Sequence, residues 1–189
     1  MNSKTIAFIA MMGALGNVLF LLSFYSGPVA PGVAFDFSLA ATFIAAFYGG
    51  PVIGFISGLF VGLLPGVYFG PLGNGSWLGL IGLPIGKSLT GLVSGFLAKE
   101  LDLQSKNHSS LAAIPVVLVS YIPECLFTVT YFVALMPHFI GGGGIGILVY
   151  VIPKAWVEIA VISVLMAALN GNQGFTSFIG KFFASNKSS

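Results

Sequence analysis

The run IGILVYVIPKAWVEIAVISVLMAAL, residues 145–169, carries only two charges, Lys154 and Glu158, in an otherwise uncharged stretch. At about 1.5 Å rise per residue it is long enough to cross a hydrocarbon core of about 30 Å. The same character extends over the chain, which is 57% hydrophobic and 6% charged. Soluble domains carry about a quarter charged residues, and no water-facing surface can be built from so few. The 189 residues hold five or six spans and little else, so residues 1–189 read as one membrane domain.

Five further helices are predicted, at about 5–25, 37–49, 52–65, 78–97 and 110–136. The first run is too long for the apolar core of an ordinary signal peptide and reads as a membrane helix. Residues 26–32, SGPVAPG, cannot continue it and read as a loop. Asp36 and Ser38 stand where they can cap the second helix, and Gly49-Gly50-Pro51 breaks the pattern after it. Residues 37–64 therefore form two short helices or one long kinked one. Pro65 and Gly66 end or kink the third helix, residues 67–77 read as a loop, and the residues after 169 read as a short polar tail. The lysines bear on the count. With six spans Lys4, Lys99, Lys106, Lys181 and Lys187 fall on one side, whereas five would divide them. The positive-inside rule then favours an all-α integral membrane protein, six transmembrane helices in one bundle, with both termini cytoplasmic. The loops after the first, third and fifth helices face outward.

Gly54, Gly58, Gly62 and Gly66 recur every four residues, as do Gly82, Gly86, Thr90 and Ser94. Small residues four apart share a helix face and let backbones approach where lipid offers no hydrophobic drive. On the first helix, Ala10 and Ala14 lie one above the other beside Gly13. They serve either packing within the chain or docking onto another membrane protein.

Four ionisable residues fall inside predicted spans, Lys87, Glu124, Lys154 and Glu158. A charge at membrane depth costs about 3 kcal/mol or more, so each needs a partner or a wet cavity. Counted from the outward helix ends they lie roughly 14, 18, 14 and 20 Å deep, in one layer. Helical periodicity adds Tyr121, Thr128 and Tyr131 to the Glu124 face and Tyr150 to the Lys154 face. One reading is mutual neutralisation, Lys154 with Glu158 and Lys87 with Glu124. The other is a cavity whose charges are met partly by a polar ligand, with Asn74, Trp77 and His138 near its mouth and Trp156 deeper. Neither His108 nor His138 has metal-ligand spacing, and no nucleotide-binding motif is present. The lone Cys125 has no partner and reads as packing. All seven basic residues are lysines without clustering, which argues against nucleic acid.

With its six short helices, inward termini, long first outer loop and Ala10-Met-Met-Gly-Ala14 pattern, the chain resembles the substrate-binding (S) component of an energy-coupling factor (ECF) vitamin transporter. The resemblance implies a membrane binding subunit, not an enzyme and with no cofactor, that captures a small water-soluble vitamin or related micronutrient from outside the cell. It implies a ligand held by the fourth to sixth helices under the first outer loop. It also implies that the first helix docks on a transmembrane coupling protein driven by two ATPase subunits. Pro153-Lys154-Ala-Trp156-Val-Glu158 is similar to the proline-then-lysine segments of flavin- and biotin-binding members. Its spacing differs, so a vitamin class is implied and not one vitamin. Two other readings stand beside this one. One is an intramembrane enzyme with Glu124 or Glu158 as base and Lys87 or Lys154 stabilising a lipid-like substrate. The other is a scaffold of a cell-envelope complex.

Overall fold

A computed structural model describes residues 2–30, 33–73, 76–104, 110–141 and 144–184. Helix α1 (Ser3–Tyr25) starts where the Asn2 side chain accepts the Thr5 N–H at 2.9 Å. Two short strands follow, β1 (Pro28–Ala30) antiparallel to β2 (Val33–Ala34). The rest of the fold is helical: α2 (Leu39–Gly49), α3 (Pro51–Phe69), α4 (Ser76–Glu100), α5 (Ser110–Ile140), α6 (Ile145–Gly171) and α7 (Gln173–Ala184). Five of these, α1, α3, α4, α5 and α6, are long and apolar enough to cross a membrane, as befits a membrane-embedded all-α protein. Helix α2 is shorter, and Leu39 to Phe47 are all buried, so it runs through the middle of the bundle.

Residues 37–64 form two helices. Gly50 takes φ 85° and ψ −178°, a conformation that L side chains rarely adopt, and turns the chain so that Gly54 of α3 packs on Ala46 of α2. The glycine stripe of α3 then packs inside the molecule. A Cβ at Gly54, Gly58 or Gly62 would fall 2.4 Å from the Gly91 carbonyl oxygen, 2.5 Å from that of Lys87, or 2.4 Å from Pro84 Cα. The second stripe turns to the opposite side of α4. A Cβ at Gly82 would lie 3.0 Å from the Tyr131 ring, and one at Gly86 3.3 Å from Glu124 Cγ. Helix α4 is thus narrow on two faces and sits between α3 and α5.

On α1 the glycines face inward and the alanines do not. Gly13 and Gly16 are buried against Phe60 and Val61, while Ala10 and Ala14 are exposed beside Met11 and Val18. The close approach of α1 to α3 is thus made by the glycines, and the two alanines are left on the exposed side.

Several predicted boundaries are corrected. Pro65 does not end α3. It falls in the first turn of a segment that restarts after Gly62, where a missing N–H is tolerated, and the helix runs on to Phe69. Trp77 belongs to the first turn of α4 and not to a loop. Helix α5 passes through Pro137, which likewise starts a helical segment. Residues 173–184, expected as part of a polar tail, form an amphipathic helix instead. Phe175, Phe178, Ile179 and Phe182 recur at helical spacing in α7, and Phe175 and Phe182 pack on Tyr48 and Phe8.

Candidate functional site

Each of three helices carries a proline one to three residues before a buried or half-buried charge: Pro84 before Lys87 on α4, Pro123 before Glu124 on α5, and Pro153 before Lys154 on α6. A proline removes one rung of the helix ladder and crowds the carbonyl four residues earlier. On α5 the regular helix is interrupted at Tyr121, two residues before Pro123, and widens into a π turn at Tyr131–Leu135. Such widened turns are frequent at functional sites because they re-aim side chains. Here Tyr131 and its neighbour Phe132 both line the same cavity.

That cavity has a volume of about 530 Å³, within the range of small-molecule sites. Lys87, Glu124, Lys154 and Glu158 all line it, so the predicted layer is brought together, and Tyr121, Thr128 and Tyr131 line it too. Its walls mix aromatic side chains, Phe24, Tyr68, Phe69, Phe127 and Phe132, with aliphatic ones such as Leu39, Leu83, Ile147 and Ile159. The connections after α1 and α3 supply Val33, Ala34, Asp36, Leu72 and Gly73. The cavity therefore lies toward the end of the bundle where these connections run.

The charges pair differently from either predicted arrangement taken whole. Lys154 Nζ does meet Glu158 Oε1, at 3.1 Å along α6. Lys87 does not pair with Glu124. Its ammonium donates to Asp36 Oδ2 at 2.7 Å and to Ser38 Oγ at 2.8 Å. Glu124 accepts instead from the Thr90 hydroxyl. Asp36 and Ser38 consequently do not cap α2 as predicted. The Ser38 side chain makes no capping bond, and Asp36 Oδ1 accepts the Ser38 N–H at 3.0 Å.

The same bonds tie the first connection down over the helices. Lys154 donates to the Ala34 carbonyl at 2.7 Å, the Asp36 N–H donates to Glu158, and the Phe37 N–H reaches Ser23 Oγ at 3.3 Å. Side chains of α4 and α6 thus hold residues 34–38 against the helices, with Ala34 and Asp36 in the cavity lining. Burial alone would raise the Asp36 carboxyl, but the Lys87 and Lys154 charges outweigh it and hold the group below its ordinary value.

Three predicted binding residues lie elsewhere. Tyr150 is 55% exposed on the outer face of α6. Trp77 is 51% exposed and packs edge-on against Phe139. Trp156 packs on the Tyr121 ring and does not line the cavity. Asn74 lies outside the described residues, as do Lys106, His108 and Lys187. Asp36, Ser38 and Thr90 are the residues that sequence reasoning missed as members of the site. An acid in the Gly/Pro-rich connection after α1 was the available signal for Asp36, and it reads equally well as a helix cap.

Among the described residues no group of three or more His, Cys, Asp or Glu side chains could hold a metal ion. Comparison with protein-family models, curated proteins and solved structures finds no match for this chain.

Proposed function

We propose that this protein is the substrate-binding component of an ECF-type transporter, capturing a small water-soluble vitamin or related micronutrient at the cell membrane for ATP-driven uptake. In this reading α2 counts as the sixth span, both termini are cytoplasmic, and the lysine-poor end that carries the cavity faces outward. The single observation that carries the proposal is the cavity itself. Five ionisable side chains from α4, α5, α6 and the first connection converge on one space of ligand size. A bundle that needed its charges only for cohesion would close over them, because packing to density gains contacts that an open cavity forgoes. The exposed Ala10 and Ala14 then offer a smooth face to a transmembrane coupling protein, itself driven by two ATPase subunits.

Native mass spectrometry of the purified protein tests capture directly. The expected result is a small molecule of reproducible mass that is released on unfolding. It should be absent from Thr128→Trp, which places an indole in the cavity. A wild-type protein that never carries a bound molecule, with Thr128→Trp equally active in cells, would instead favour the scaffold reading.

A further inference from the structure

The charges that line the cavity are unbalanced. Three carboxylates, Asp36, Glu124 and Glu158, face two ammoniums, Lys87 and Lys154. Two of the carboxylates are spoken for by the ion pairs Asp36–Lys87 and Lys154–Glu158. Glu124 is 7% exposed and forms no ion pair among the described residues. Its Oε2 accepts from Thr90 and its Oε1 has no partner there. An ionised carboxylate so deeply buried is costly unless a positive charge or several donors meet it.

The neighbours of Glu124 point the same way. Tyr121 and Thr128, on its own helix face, make no hydrogen bond among the described residues, so their hydroxyls remain to be used from within the cavity. Six aromatic side chains, Phe24, Tyr68, Phe69, Phe127, Tyr131 and Phe132, share the lining of the same cavity with aliphatic ones. Aromatic walls attract cations through their negative faces and stack flat apolar bodies. An anion finds no comparable welcome, since each ammonium already has a carboxylate at hydrogen-bond distance.

We infer that the captured molecule is a small cation, a protonated amine or cationic nitrogen heterocycle with a flat apolar body, whose positive end sits on Glu124. This inference rests on the capture reading and adds to it the charge class of the ligand. Thr128 and Tyr121 accept or donate beside that end, and the aromatic side chains enclose the remainder.

The test uses three probes that share one indole body and differ in the charge of the tail: tryptamine, tryptophol and indole-3-propionate. Their dissociation constants are measured on the full chain in lipid nanodiscs near neutral pH, with wild type, Glu124→Gln and Thr128→Trp. Gln can still accept from Thr90, so the fold around position 124 is kept. Tryptamine should bind at least about tenfold more tightly than the other two. Glu124→Gln should remove that preference, and Thr128→Trp should weaken all three probes. Equal or tighter binding of tryptophol or indole-3-propionate to the wild type, lost in Thr128→Trp, would overturn the charge class and leave capture standing. A tryptamine preference that survives in Glu124→Gln would also overturn it. Binding of none of the probes, together with no small molecule recovered from the purified protein, would overturn both.

Discussion

Lys87 and Asp36 meet at 2.7 Å in the cavity lining although 51 positions separate them in the chain. One belongs to a helix long and apolar enough to span a membrane and the other to the connection that precedes α2, so the pair fixes the position of that connection. Removing only the lysine leaves a buried carboxylate uncompensated. Lys87→Met should therefore destabilise the protein by about 3–5 kcal/mol in unfolding by denaturing detergent. The double variant Asp36→Asn with Lys87→Met should recover part of that loss. Equal stability of the single and double variants would mean that the two charges are not coupled.

The same pair sets a pH dependence. Because the Asp36 carboxyl titrates below its ordinary value of 3.8, its stabilising contribution is complete above that value and is lost as pH falls through the lower folded value. Asp36→Asn should flatten that acid limb, which a thermal-shift series in acidic buffers would reveal.

Gly58 approaches α4 so closely that an added Cβ would meet the Lys87 carbonyl oxygen at 2.5 Å and its carbonyl carbon at 2.7 Å. Backbone cannot turn aside as a side chain can. Gly58→Leu should cost at least about 2 kcal/mol and lower the yield of monodisperse protein in size-exclusion chromatography. Gly146→Leu, at a position where a Cβ meets nothing within 4 Å, is the control and should behave as wild type.

The proposed topology, with six spans and both termini cytoplasmic, predicts which side each connection faces. With Cys125 replaced by Ser, single cysteines at Asn107 and Ser188 should resist an impermeant thiol reagent in intact cells, and one at Asn74 should react. The reverse pattern would invert the bundle and place the cavity at the inner leaflet.

Much of this fold can be read from the sequence because lipid leaves few choices. Long apolar runs must be helices, small residues at spacing four must meet something, and intramembrane charges must converge. Lys87, Glu124, Lys154 and Glu158 obeyed that logic and line one cavity. What periodicity could not supply was the partner of Lys87, since Asp36 lies in a connection whose path depends on tertiary contacts. Nor could it tell Trp77 and Tyr150, which sit on outer faces, from aromatics turned inward. Helix α5 departs from regular geometry at Tyr121 and at the π turn, so face assignments made on a regular helix drift beyond those points.

The exposed position of Ala10 and Ala14 sharpens the experiment on helix α1. Were they packed inside, bulk at these sites would disrupt the fold, as Gly13→Trp should, because a Cβ at Gly13 already falls 2.9 Å from Phe60 Cβ. Bulk on an outward face has only lipid or a partner to displace. Ala10→Trp combined with Ala14→Trp should therefore leave melting temperature and retained small molecule unchanged. The same variant should abolish cellular uptake and co-purification with a transmembrane partner and ATPases. Val164→Trp, on the outward face of α6, adds equal bulk away from that face and should be silent in every measurement. Normal uptake by the double alanine variant would remove helix α1 as the docking surface and with it the main support for assembly with a coupling protein.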